Sequence, residues 1–252
     1  MRVALQLYTI RDKIAADYRR ALRKVAEIGY KAVEYAGHPF LTVSADELRS
    51  LMEELNLRPV SAHVPYNLLR SHTSRVLEYA SKVGLDYLVS EPDVRKISTR
   101  AEAVEVAEEM SELGREIAGR GMRFCMHNHA VQFEKRIGGK PVYMILVEES
   151  DPRYVHFQLD TYWVKYAGYN PVEVLRALKG RCPLIHLKDM RDEESREMTE
   201  LGRGIINFRE IVEVAERVGV EWYIVENDRP TLDSLESARV ALMYLRSAFT
   251  VE

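Results

Sequence analysis

The feature that most restricts the fold of this chain is an alternation of short apolar runs and amphipathic stretches that repeats eight times. Val3 to Tyr8 reads as a first strand, and a helix is expected from about Ala15 to Ile28, closing at Gly29. The next three expected pairs are a strand at Ala32 to Tyr35 with a helix at Ser44 to Leu55, Pro59 to His63 with Leu68 to Val83, and Tyr87 to Ser90 with Arg100 to Arg120. Then come Arg123 to His127 with Val142 to Glu149, Val155 to Leu159 with Pro171 to Leu178, Leu184 to Leu187 with Phe208 to Val218, and Trp222 to Val225 with Leu232 to Phe249. Ser44 and Glu47 have capping-box spacing, and Gly84, Gly121 and Gly219 stand where helices should stop. Eight such units in 252 residues, with no long linker and no change of composition, predict one α/β domain over 1–252, a closed (β/α)8 barrel. A Gly-x-Gly-x-x-Gly run after strand one is absent, which weakens a doubly wound alternative.

Composition narrows the function classes. No run approaches the roughly 18 apolar residues of a membrane helix, and the first strand begins without a basic leader region. The expectation is a cytoplasmic protein that does not engage membranes. Cys125 and Cys182 lie in strand-like runs and are expected to be buried, reduced thiols. A formal charge of -3 argues against a nucleic-acid surface.

In such barrels the active site forms on the loops at the C-terminal ends of the strands. Metal-capable side chains gather there in this chain. Asp160 follows Val155-His156-Phe157-Gln158-Leu159, His186 follows Pro183-Leu184-Ile185, and Glu226 follows Trp222-Tyr223-Ile224-Val225. Two carboxylates and one imidazole on three consecutive strand tips suit one divalent metal ion, Mn, Zn, Co or Mg. Strand five supplies His127, Asn128 and His129, followed by Gln132 and Glu134. Lys188 shares the strand face of His186 under period-two alternation, so it is expected to face the same cavity, where a cation suits an oxyanion or phosphate. An ion pair with Asp189 or Glu226 is the competing reading. His63 and Glu91 are candidate substrate contacts from strands three and four. Trp163 and Lys165, just after Asp160, offer a flat aromatic surface and a charge to a sugar ring. The charged loop from Met190 to Gly204 is a candidate lid, and Gly202-Arg203-Gly204 reads as a turn sooner than as an anion cradle.

With those residues in view, the chain resembles the xylose isomerase-like TIM barrel superfamily, in its sugar phosphate isomerase/epimerase branch. The resemblance runs nearly end to end through Met126 to His129, Gln158 to Lys165, Pro183 to Asp189, Leu201 to Phe208 and Val225 to Asp228. It implies a metal held by Glu, Asp, His and Glu from strands five to eight. Asp160, His186 and Glu226 match the last three positions. His127 falls where the first Glu is expected, with Gln132 and Glu134 as alternatives reaching in from the loop. The resemblance further implies a small-molecule carbohydrate substrate and an isomerase or epimerase that moves a proton alpha to a carbonyl, with Glu226 as one base and Lys188, His129 or Glu134 as its partner. The altered strand-five position also suits a keto-sugar or inosose dehydratase, a lyase on the same barrel. A DNA-repair endonuclease needs a basic face and more ligands than this chain offers, and a non-catalytic sugar-binding protein is disfavoured by the retained triad. Association into a homo-oligomer through the outer helices stays open on fold analogy.

Overall fold

The computed structural model describes residues 1–252. Eight parallel strands close into a barrel: β1 (Val3–Gln6), β2 (Ala32–Ala36), β3 (Arg58–His63), β4 (Tyr87–Ser90), β5 (Arg123–His127), β6 (Val155–Asp160), β7 (Leu184–Leu187) and β8 (Trp222–Val225). Each pairs with its sequence neighbours, and β8 returns to β1 through Val3 to Tyr223, Ala4 to Ile224 and Leu5 to Val225. The expected single-domain barrel is therefore the observed fold. No helix is long and apolar enough to cross a membrane.

The strands are apolar on both faces low in the barrel because helices cover the outside and side chains fill the inside. The inner filling is a cluster that includes Ala4, Ala32, Val60, Tyr87, Cys125, Leu184 and Trp222. The layer above it changes character: Gln6, Glu34, Ser61, Gln158 and His186 are all fully buried and polar. Two residues along β1, β2 and β7, Ala4, Ala32 and Leu184 give way to Gln6, Glu34 and His186, as inward-facing positions on one strand should. Both cysteines are buried and free, as expected.

Several boundaries differ from the sequence reading for local reasons. The first strand ends at Gln6, whose side chain accepts a bond from the Tyr8 amide and starts a 3-10 turn at Leu7–Ile10. The first helix follows at once, at Arg11–Ile28. The helix expected after β3 is two, Tyr66–Ser71 and Thr73–Val83, broken at His72. Beyond β5 and β6 the chain forms short helices that were not anticipated, Val131–Glu134 and Thr161–Tyr166, the second capped by Asp160 through the Trp163 amide at 3.0 Å. The candidate lid carries a small antiparallel ribbon, Asp189–Met190 against Met198–Thr199.

Candidate active site

A cavity of about 860 Å³ opens at the C-terminal end of the barrel, lined by His63, His127, His129, Trp163, Lys188 and Glu226 among others. Its floor is built on a residue that the sequence reading passed over, Glu34 of β2. This fully buried carboxylate accepts from Gln6 Nε2 at 2.7 Å, Ser61 Oγ at 2.5 Å, Gln158 Nε2 at 2.7 Å and His186 Nε2 at 2.5 Å, with His63 Nε2 at 3.2 Å. Burial alone would favour its neutral acid form, but the charges and hydrogen bonds of His63 and His186 win and hold it well below the usual carboxylate range.

Glu34 fixes the imidazoles around it. Gln158 gives its amide N–H to Glu34, so its carbonyl oxygen must accept from His127 Nδ1 at 2.9 Å and from His63 Nε2 at 2.7 Å. His127 is thereby held as the Nδ1–H tautomer with its Nε2 lone pair free. Burial and the neighbouring His63 and His186 push the His127 pKa well below the histidine range, so it is a neutral donor. His186 gives its Nε2 proton to Glu34 and points Nδ1 at Glu226 Oε2, 2.8 Å away. Burial opposes charge on His186, but Glu34 and Glu226 outweigh it and push its pKa up to about 10.

The expected metal ligands converge. Asp160, His186 and Glu226 present donor atoms within 4.8 Å of one another, all buried. Asp160 Oδ2 lies 3.8 Å from His186 Nδ1 and 3.9 Å from His127 Nε2. That oxygen is buried and accepts no well-aligned hydrogen bond; the Lys188 ammonium faces it at 3.1 Å. Donors bound to one cation at about 2.1 Å stand roughly 3 to 4 Å apart, so Asp160, His186 and Glu226 suit a shared divalent ion, with His127 close to Asp160 and His186 but grouped by its donor atom with His63 and His186. A buried carboxylate is costly unless a cation faces it, and Lys188 supplies one positive charge to the three carboxylates Asp160, Glu226 and Asp228. The Nε2–H of His186 on Glu34 is the carboxylate–histidine arrangement that orients a metal-binding imidazole. The loop alternatives for the strand-five ligand do not reach the cluster. Glu134 is exposed at the end of its short helix, and Gln132 is turned to Glu91 and the His129 amide.

Lys188 enters the same cavity as expected, and its partners are Asp160 Oδ2 at 3.1 Å, Glu226 Oε2 at 2.8 Å and Asp228 Oδ2 at 2.9 Å, not Asp189. Burial works against its charge, but these three carboxylates keep the ammonium firmly protonated. Burial, with repulsion from Glu226, raises Asp228 to about 6. His129 bonds Glu91 through Nδ1 at 2.8 Å, and Glu91 also accepts from Gln132 at 3.0 Å. Glu91 and Gln132 are thus supports of His129 and do not line the cavity, which corrects their assignment as substrate contacts. Trp163 and His63 do line it. Lys165 does not: the Thr161–Tyr166 helix carries it outward to Glu193, 2.6 Å away. Glu134 is likewise removed from the candidate acid–base partners.

The Gly202-Arg203-Gly204 turn does cradle an anion, and the anion is the chain's own. Asp189 accepts from the amides of Gly202 at 3.0 Å, Gly204 at 2.9 Å and Ile206 at 3.2 Å. A Cβ on Gly204 would lie 2.1 Å from the Met190 oxygen, so glycine is required for that approach. This knot anchors the candidate lid loop, whose Arg191, Ser195, Arg196, Glu197 and Met198 line the cavity.

Comparison with known proteins agrees with the barrel fold. The family model described as xylose isomerase-like TIM barrel matches residues 22–248. An inosose dehydratase from Geobacillus thermodenitrificans is 27% identical over 176 residues, covering 61% of this chain and 57% of that one. The chain thus spans little more than half the length of that curated relative. Among solved structures, a sugar phosphate isomerase/epimerase from Parabacteroides distasonis superposes with a TM-score of 0.85 at 22% identity, over 98% of this chain and 94% of that one. The IolI protein with a bound zinc atom superposes with a TM-score of 0.77 at 17% identity, over 99% of this chain and 100% of that one. At such identities the two structures speak for the fold alone.

Proposed function

From the premise that this chain belongs to the xylose isomerase-like TIM barrel family, we propose that it is a divalent-metal-dependent enzyme that removes the proton alpha to the carbonyl of a keto-sugar or keto-cyclitol and expels water from the neighbouring carbon. The observation that carries this reading is the inequality of the proton-handling groups on the two sides of the cavity. On one side Glu226 stands with Lys188; on the other, the strand-five tip offers His127 and His129 in place of a second carboxylate. A symmetric removal and return of one proton calls for two like bases, whereas elimination calls for a base and a distinct acid. The name of the curated relative, inosose dehydratase, points the same way.

The residues divide the work as follows. His127, Asp160, His186 and Glu226 would hold the metal, a Zn, Mn or Co ion by the imidazole content of the set. When bound, the ion polarises the substrate carbonyl and an adjacent hydroxyl. Glu226 accepts the alpha proton. Lys188, within hydrogen-bond distance of Glu226, stabilises the negative charge that develops on the substrate oxygen. His129, oriented by Glu91, gives a proton to the departing hydroxyl. Trp163, its ring 5.4 Å from that of His129, supplies a flat wall for the sugar ring.

The isomerase or epimerase reading shares the first proton removal and differs in the fate of the carbanion. Incubation of the metal-loaded protein with an inosose and with a ketohexose in deuterated water separates the two. A product lighter by one water supports elimination; deuterium in a product of otherwise unchanged composition transfers the assignment to isomerisation or epimerisation. Neither product, with metal bound, would remove the enzymatic reading.

A further inference from the structure

The mouth of the cavity has a charge that neither the metal cluster nor the proton transfers require. The chain is acidic overall, at -3, yet Arg11, Arg191, Arg196 and Arg229 all line the opening. Of the three acidic side chains on the same surface, Glu226 and Asp228 are engaged with Lys188 in the interior, and Glu197 pairs with Arg191 at 2.5 Å. That leaves three guanidinium groups without a carboxylate partner. Arg11 spends two N–H groups on the carbonyls of Tyr8 and Asp228, which fixes its plane 4.4 Å above the Tyr8 ring. Arg196 is tethered to the Tyr166 carbonyl at 3.3 Å and lies 5.4 Å over that ring. Arg229 uses only its backbone amide, which bonds Asn227 Oδ1.

These arginines are placed on the loops after β7 and β8 and at the start of the helix that follows β1, the strand that β8 adjoins. Barrels of this type frequently hold a phosphate on the loops after strands seven and eight. A neutral polyol gains little from three unpaired cations, whereas a phosphate or carboxylate is matched by guanidinium forks and drawn in by the field of a focused cationic mouth. Resting on the keto-sugar reading above, we infer that the substrate carries an anionic tail, a phosphate ester or a carboxylate, bound by Arg11, Arg196 and Arg229 while its carbonyl end meets the metal cluster. The 860 Å³ of the cavity accommodates both ends of such a molecule.

The test uses the metal-loaded protein and three probes: inorganic phosphate, D-gluconate and neutral D-glucitol. Of the two tryptophans, Trp163 lines the cavity and Trp222 lies at the opposite end of the barrel, so the fluorescence change on titration reports the site. The expected result is that an anion binds and that Arg196→Gln with Arg229→Gln weakens it by about tenfold or more, with partial recovery in Arg229→Lys and no change for glucitol. Binding of phosphate alone assigns a phosphate ester, and of gluconate alone a carboxylate. Absence of anion binding, or anion binding that survives the double substitution and so belongs to the metal, overturns the inference. Deuterium exchange into a neutral keto-sugar tests the function separately. Exchange without anion binding sinks the anionic tail and spares the reaction; anion binding without exchange on any keto compound does the reverse.

Discussion

The two ends of this barrel use charged residues in opposite ways. At the N-terminal end Arg123 meets Glu221 through both guanidinium nitrogens, at 2.6 and 2.8 Å, and Tyr87 donates to the same carboxylate at 2.8 Å. Arg58 pairs with Asp86 at 2.7 Å, and the guanidinium groups of Arg2 and Arg58 lie over the Trp222 ring. Every one of these charges is partly exposed and has a partner. At the C-terminal end, Glu34, Asp160, Glu226 and Asp228 crowd around Lys188 and His186, mostly out of water, and one oxygen of Asp160 faces the Lys188 ammonium without a well-aligned hydrogen bond. Charges that are satisfied stabilise the barrel. Charges that are buried and incompletely satisfied mark the place where a ligand must complete them.

The sharpest way to break that contrast is Asp160→Asn. The substitution keeps the shape and removes the carboxylate oxygen that faces the Lys188 ammonium and the neighbouring His186 and Glu226 donors. Metal affinity should fall by more than ~100-fold, beyond what loss of a supporting group costs, while the apo protein stays folded. Elemental mass spectrometry after dialysis and calorimetric titration measure it. Unchanged affinity would mean that this oxygen is not a ligand, and the two ends would then differ in degree only.

Glu34→Gln comes next and tests whether the floor of the site acts through His186. The amide can no longer accept from His186, Gln6, Ser61 and Gln158 together, so the imidazole loses its anchor. A drop of roughly 10–100-fold in metal affinity is expected, the usual size for loss of a group behind a metal-binding histidine. The histidine ring-proton resonances of the apo protein should move with it. A variant with altered resonances and full metal affinity would assign Glu34 a purely structural part.

The same contrast explains what the sequence disclosed. Asp160, His186 and Glu226 were legible because each breaks an apolar run at its end, where a buried strand meets its loop. His127 was legible as a strand-tip imidazole. Glu34 was not, because it sits inside Ala32-Val33-Glu34-Tyr35-Ala36, where a lone acid reads as an outward-facing residue. Its signal was present: a barrel strand covered by helices has no wet face, so a carboxylate in mid-strand must have internal donors. Glu134 and Lys165 misled for a different reason. Both follow the strand tips closely in sequence, but the short helices Val131–Glu134 and Thr161–Tyr166 turn them away within one or two turns. Loop conformation, unlike strand alternation, leaves little periodic trace.

The smallest effect belongs to the other end. Glu221→Gln should lower stability by about 1 kcal/mol at neutral pH, the size of a charge-assisted pair discounted for its partial exposure. Metal affinity and turnover should not change, because the residue lies a full strand length below the site. The pH dependence has a defined sign. The hydrogen bond from Arg123, joined by that from Tyr87, holds the folded Glu221 carboxyl below its usual range. A depressed carboxylate contributes its stability above the unfolded value of about 4.3 and loses it as the pH falls through the folded value. Denaturation curves of the two proteins should therefore stand apart at pH 7 and draw together below about pH 4. A gap that persists in acid would locate the loss in packing against Tyr87 and Arg123 instead of in charge. A change in metal affinity would show that the polar cluster at the bottom of the barrel is coupled to the one at the top.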